Sequence, residues 1–232
     1  MLINLSLDIM FLENVFIFTV YLQHLIIKVN MKKLFLLGFL FFGIATGLLA
    51  QSNFGIRGGL SLASEYSREN NRSATTKIAP SFHLTGYYDA QISQSFSIQP
   101  GLSLQGKGGR YEANRESFTD KLIYLEVPVN FLGRIQAGNG DMFFGGGPYI
   151  AYGLSARVTS RGDSQRVDFG QGPHQLKRFD AGLGFLAGYR FLNGLVLSIS
   201  SSAGVLNISN SNETKFLNRV TSFSVGYELG RR

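Results

Sequence analysis

The sequence predicts an all-β protein: an eight-stranded antiparallel up-and-down transmembrane β-barrel with short periplasmic turns and long extracellular loops. Three observations carry that reading. Apolar residues recur with period two in eight segments, the connections between segments alternate long and short, and an export segment precedes the first of them. Composition agrees, since 28 Gly, 20 Phe and 10 Tyr in 232 residues suit pleated strands better than helices. The lack of Cys excludes a disulfide framework and a thiolate metal site.

The export segment begins at Met31 and reads MKKLFLLGFLFFGIATGLLAQS, with two lysines, a long apolar run and small residues up to Ala50. This is the layout of a secretory signal peptide over residues 31–50, with cleavage expected between Ala50 and Gln51. Residues 1–30 are read as a misassigned upstream extension, because Lys32 and Lys33 make sense as the charged start of a signal. A retained anchor is the alternative, although its apolar run falls short of the roughly 20 residues of a spanning helix. The outer-membrane barrel domain then occupies residues 51–232.

The first predicted strand, 53–63, sets Phe54, Ile56, Leu60 and Leu62 on one face against Gly55, Arg57, Gly59 and Ser61 on the other. The second, 80–92, sets Phe82, Leu84, Tyr88, Ala90 and Ile92 against Ser81, His83, Thr85, Tyr87, Asp89 and Gln91. In the third, 95–107, Phe96, Ile98, Leu102 and Leu104 oppose Ser97, Gln99, Ser103, Gln105 and Lys107. The fourth is built on KLIYLEVPVNFLG and spans 121–135, followed by 141–154, 179–191, 195–205 and 217–229. Each is about 10 to 14 residues, enough for a tilted crossing of a bilayer.

Long connections (64–79, 108–120, 155–178, 206–216) alternate with short ones near Ser93, at 136–140 and at Asn193-Gly194. In a meander the two kinds lie at opposite ends, and an even strand number puts both termini at the short-turn, periplasmic end. Aromatics on the apolar face gather near the turn end (Phe54, Phe96, Phe131, Phe144, Tyr189, Phe191, Tyr227) and near the loop end (Phe82, Tyr152, Phe179), as girdles at two interfaces would.

The fourth strand tests this assignment. Glu126 and Pro128 alternate with Ile123, Leu125, Val127, Val129 and Phe131, and neither suits the buried face of a soluble sheet. In a barrel the greasy face meets lipid and Glu126 faces the lumen, with Lys107 one strand away or Arg57 and Arg190 across it as cationic partners. Pro128 must omit a ladder hydrogen bond, and a β-bulge is expected there.

YLEVPV (124–129), GGGPYIAYGL (145–154), FDAGLGFLAGYRF (179–191) and Gln99-Pro100-Gly101-Leu102 are similar to the outer-membrane β-barrel domain of the "porin family", or PorT-like, proteins of Gram-negative bacteria. The resemblance covers 51–232. It implies an eight-stranded outer-membrane barrel and insertion by the barrel assembly machinery, without implying a pore; PorT is a component of a secretion system. The ending GYELGRR departs from the terminal aromatic usual in insertion signals, and Tyr227 and Leu229 imply a recognition element shifted inward.

Residues on the polar faces are the candidate lumen set: Arg57, His83, Asp89, Lys107, Glu126, Arg134, Asp180, Arg190 and Glu228. Eight strands enclose a space that side chains nearly fill, so opposite charges there are expected to pair. The expected lumen charge network is Arg57, Lys107, Glu126, Asp180 and Arg190. Such a network either plugs the barrel or lines a narrow polar conduit.

No catalytic, cofactor or metal residue is proposed. No GxSxG or comparable nucleophile setting occurs, and Asp163 with Asp168 are too few for calcium. GKGG (106–109) and the GGG of 145–147 precede no helix, so they are read as answers to a tight interior and sheet curvature, not as phosphate loops. Net charge is +7, about +6 of it after residue 50, and dispersed; no nucleic-acid partner is expected. Expected partners are outer-membrane lipid, lipopolysaccharide and the barrel assembly machinery; the basic third long loop is read first as a solvated face and, in the alternative, as a contact for lipopolysaccharide phosphates. Secretion or envelope protein partners stay unidentified. The function read from the sequence is a non-enzymatic outer-membrane barrel with a structural, surface-interaction or secretion-support role; the alternative is a small passive channel.

Overall fold

Alternation makes strands here and strand order closes them. The computed structural model describes residues 53–69, 72–113, 116–172, 175–211 and 214–229. The expected signal peptide and upstream extension lie outside the described residues. The strands are β1 (Asn53–Glu69), β2 (Arg72–Thr75), β3 (Ala79–Ser93), β4 (Phe96–Lys107), β5 (Arg110–Ala113), β6 (Glu116–Gln136), β7 (Gly140–Ser160), β8 (Asp163–Val167), β9 (Phe179–Phe191), β10 (Leu195–Gly204) and β11 (Thr214–Leu229).

Eight of these, β1, β3, β4, β6, β7, β9, β10 and β11, pair antiparallel in chain order, and β11 pairs back onto β1 from Phe54↔Leu229 to Glu69↔Thr214. The ring has no free edge, which satisfies every wall strand on both sides without water. Gly138 and Gly194 take positive φ in two of the tight turns, where a side chain would be strained.

The faces are inverted relative to a soluble protein. Phe54, Leu102, Ile150, Leu183 and Val225 stand exposed on the outer wall, each more than half accessible, while Arg57, Lys107, Asp180 and Arg190 are buried in the lumen. Such a surface is stable only against hydrocarbon.

Two differences from the sequence reading concern the loop end, and a third lies in the wall at Pro128. β6 and β7 each run 21 residues, far beyond the expected 10 to 14. The predicted long connections are partly strand: β2 folds back on β1, β5 on β6 and β8 on β7. At about 3.3 Å per residue, β6 and β7 reach about 70 Å, more than twice the hydrocarbon thickness of about 30 Å. The β7–β8 turn carries Arg161 and Gly162 at φ 48° and 91°, the left-handed pair of a tight hairpin turn.

Pro128 is the third difference. The bulge lies at Leu154, left unpaired between Ile123↔Ser155 and Tyr124↔Gly153. At Pro128 the β4–β6 ladder passes from Pro100↔Val129 to Ser103↔Glu126 without changing register. The two rungs between them are skipped, beside prolines that cannot donate, and the pairs on both sides hold the offset.

Candidate functional site

The inward faces bring the polar residues into layers across the lumen. Nearest the turns, Arg190 on β9 joins Asp141 Oδ2 and Glu228 Oε2, each at 2.5 Å, with Asp89 at 3.8 Å, while Arg134 on β6 pairs with Asp89 and donates from Nε to Ser97 Oγ at 3.1 Å. Arg57 on β1 is in none of these ion pairs. Its guanidinium donates to Gln99 Oε1 at 2.7 Å and lies over the Tyr87 ring, 4.6 Å from the centroid; Tyr87 in turn donates to Glu228 Oε1 at 3.2 Å. Three guanidinium groups thus face three carboxylates at this level.

The middle of the lumen is neutral. His83 sits between Ser61 Oγ at 3.1 Å and Ser224 Oγ at 2.9 Å, Ser61 also meets Ser222 at 2.9 Å, and Thr85 bonds Ser103 at 2.7 Å. No carboxylate is among the hydrogen-bond partners of His83 in the described residues, so the orientation a general base needs is not provided by a third group. A cavity of about 50 Å³ remains here, lined by Arg57, His83, Gln105, Glu126, Pro128 and Tyr149 among others.

Above it, Lys107 on β4 forms an ion pair with Glu126 Oε2 at 2.8 Å and donates to Asp180 Oδ2 at 3.1 Å. Asn218 donates to the same Asp180 oxygen at 2.9 Å, and the ammonium lies 4.1 Å from the centre of the Tyr149 ring. Of the five residues expected to form one network, Lys107, Glu126 and Asp180 meet in this layer, Arg190 belongs to the turn-end layer, and Arg57 stands apart on its glutamine and tyrosine.

Apart from Tyr124, which shares the lumen face of the fourth predicted strand with Glu126, the apolar residues inside the barrel are the part that alternation hid. Leu122, Tyr124, Tyr149, Ala151, Ala156 and Ile208 form an inner cluster over the Lys107 layer, and Val167, Phe169, Leu176 and Phe216 pack on it. A second inner cluster joins Leu132, Phe143, Leu186 and Val196. The curvature of β7 explains its GGG: a Cβ on Gly145 or Gly147 would stand 1.9 Å from the carbonyl oxygen of Phe131 or Val129.

Beyond the apolar band the hairpins enclose a cup of about 540 Å³, with Tyr111, Leu122, Leu176 and Phe216 on its wall and two acids, Glu65 and Asp120, within it. Burial, then the neighbouring Asp120 carboxylate, pushes the Glu65 carboxyl up to about 8; burial likewise raises Asp120 to about 6. Both fall in connections that the sequence places outside the strands (64–79 and 108–120), because the extension of β1 and β6 past the membrane leaves no sequence signal. Among the described residues no cluster of three His, Cys, Asp or Glu side chains is placed to hold a metal.

Residues 49–210, more than half of the chain, match the outer membrane protein beta-barrel domain family. The chain belongs to that family. It is an outer-membrane β-barrel protein, and the inverted faces and the closed ring follow from that location. Among solved structures it is similar to Ail, the attachment invasion locus protein of Yersinia pestis, at 16% identity and a TM-score of 0.39 over 76% of this chain and 99% of that one. It is similar also to the outer membrane protein OprG from Pseudomonas aeruginosa, at 12% identity and a TM-score of 0.43 over 77% and 96%. Neisserial surface protein A is similar at 13% identity and a TM-score of 0.39 over 75% and 96%. No curated protein matches the sequence.

Proposed function

We propose that this is a closed, non-enzymatic outer-membrane barrel that acts through its loop end, in a structural or surface-interaction role or in support of secretion. The observation that carries the reading is the state of the lumen. Ion pairs cross it at two levels, an apolar cluster covers one of them, and about 50 Å³ is left between. At about 10–15 Å³ of such space per molecule it holds a few waters and no hydrated solute.

Residues 31–50 then act as the signal peptide, the barrel assembly machinery inserts the chain, both termini are periplasmic, and the hairpins with their cup project from the cell. The alternation supports this orientation: the odd-numbered connections of the meander are long and the even-numbered ones tight, and outer-membrane barrels keep tight turns inside and long loops outside. His83 without an acid partner supports a role other than hydrolysis.

Conductance of the purified protein in planar bilayers tests the closed barrel. We expect silence under conditions where a known porin opens. Stable, reproducible single-channel steps would replace this reading with that of a small passive channel.

A further inference from the structure

The register of the hairpin extensions places three cations side by side. Lys121 on β6 is directly opposite Arg157 on β7, and Arg157 is directly opposite Arg166 on β8. The next row toward the membrane is Leu122, Ala156 and Val167, all packed in the inner cluster, so by alternation the basic row lies on the outward face, with Arg157 also bordering the cup. All three basic residues are exposed. Directly opposed like charges on one sheet face repel, so an anion that neutralised the row would stabilise it.

Little in the chain does so. Among the described residues, Lys121 and Arg157 have no carboxylate partner, and Arg166 has only Asp168 at 3.5 Å, with both side chains largely in solvent. The next outward-facing row away from the membrane consists of hydroxyls, Thr119 opposite Thr159 opposite Ser164, with Arg110 on β5 beside Thr119. Cations backed by hydroxyl donors suit phosphate oxygens and sugar hydroxyls.

Depth selects the source of the anion. Two residues below Lys121 on the same face, Ile123 and then Leu125 begin the apolar band, and Leu154 does the same on β7 below Arg157. The row therefore stands at headgroup level, where anionic lipid draws basic side chains strongly.

We propose that Lys121, Arg157 and Arg166 form a binding site for the phosphates of a membrane-anchored glycolipid in the outer leaflet. The outer-leaflet assignment rests on the orientation given above; the phosphate site itself does not.

The test uses the full barrel purified in neutral detergent, with fluorescent lipopolysaccharide as probe and dephosphorylated lipid A as comparator. Lys121→Gln with Arg157→Gln should weaken lipopolysaccharide binding by roughly tenfold or more. Heat-dependent gel mobility should stay as in the parent, showing that the variant is folded. Lys215→Gln, on the opposite wall, should leave binding unchanged, and dephosphorylated lipid A should not distinguish parent from variant. Equal lipopolysaccharide binding by parent and folded double variant would overturn the site. Tighter binding of a sulfated polysaccharide than of lipopolysaccharide would assign the row to a soluble polyanion and overturn the lipid source. Orientation is read separately, by labelling Ser164→Cys on intact cells with an impermeant maleimide. Labelling only after the outer membrane is opened would overturn the orientation and the outer-leaflet source, and would leave the binding result standing.

Discussion

The two charged layers of the lumen use the same residue types and reach different balances. At the turn end Arg57, Arg134 and Arg190 face Asp89, Asp141 and Glu228, three charges of each sign, with Arg190 spanning two carboxylates. Under the loops Lys107 alone serves Glu126 and Asp180. A balanced layer shares the loss of any one member among several partners. An unbalanced one depends on its minority charge, because a buried carboxylate left without a cation is far costlier than a cation that loses one of two carboxylates.

The largest expected effect follows from that asymmetry. Lys107→Met leaves two buried carboxylates without a cation and should cost about 3–5 kcal/mol, the cost of breaking a buried pair. Heat modifiability and the thermal midpoint in detergent would record it. Arg134→Met at the turn end should cost less, since Asp89 keeps Arg190 at 3.8 Å. If the two variants unfold together, the difference between the layers has no energetic meaning.

Glu126→Ala comes next and sharpens the comparison within one layer. Lys107 retains Asp180, and the layer becomes balanced, so the loss should be about 1–3 kcal/mol, that of a hydrogen-bonded charge partner. An unchanged midpoint would show that Glu126 is held by the lumen without contributing to it. Combining Glu126→Ala with Lys107→Met should be milder than the sum of the two, because they share one interaction.

What the sequence made legible, and what it hid, follows the same division. Period two and strand order are enough to put Glu126 beside Lys107, one strand away and on the same face. They are also enough for the ring, since every wall strand pairs with its neighbours in chain order. Asp141 stayed hidden because it adjoins a turn, where alternation has barely begun. Leu132 and Leu186 stayed hidden because each follows an outward phenylalanine, Phe131 and Phe185, and two apolar faces erase the period. The basic row of Lys121, Arg157 and Arg166 spreads over 46 positions of sequence and exists only through register. Arg57 shows the remaining limit: a lumen cation was expected to find a carboxylate, and a glutamine with a tyrosine ring satisfies it instead.

The last effect is local to the acids above both layers, Glu65 and Asp120, which form no ion pair among the described residues although Lys77, Arg110 and Arg157 border the same cup. Glu65, with its carboxyl raised from 4.5 to about 8, keeps in the folded protein a proton that it loses near 4.5 when unfolded. The folded state therefore binds more protons between those limits, and stability falls as pH rises through them. Asp120, raised from 3.8 to about 6, adds in the same direction over a lower window. Protection of the β1–β2 and β5–β6 hairpins against hydrogen exchange, expressed relative to intrinsic rates, should decline from pH 5 to pH 8 and level off above. Glu65→Gln removes the titrating group but keeps a hydrogen-bonding side chain, and should flatten most of that decline while leaving the wall strands untouched. A decline of the same size in Glu65→Gln would place the pH response elsewhere, and the contrast between charge-paired lumen and proton-sharing cup would fail at that point.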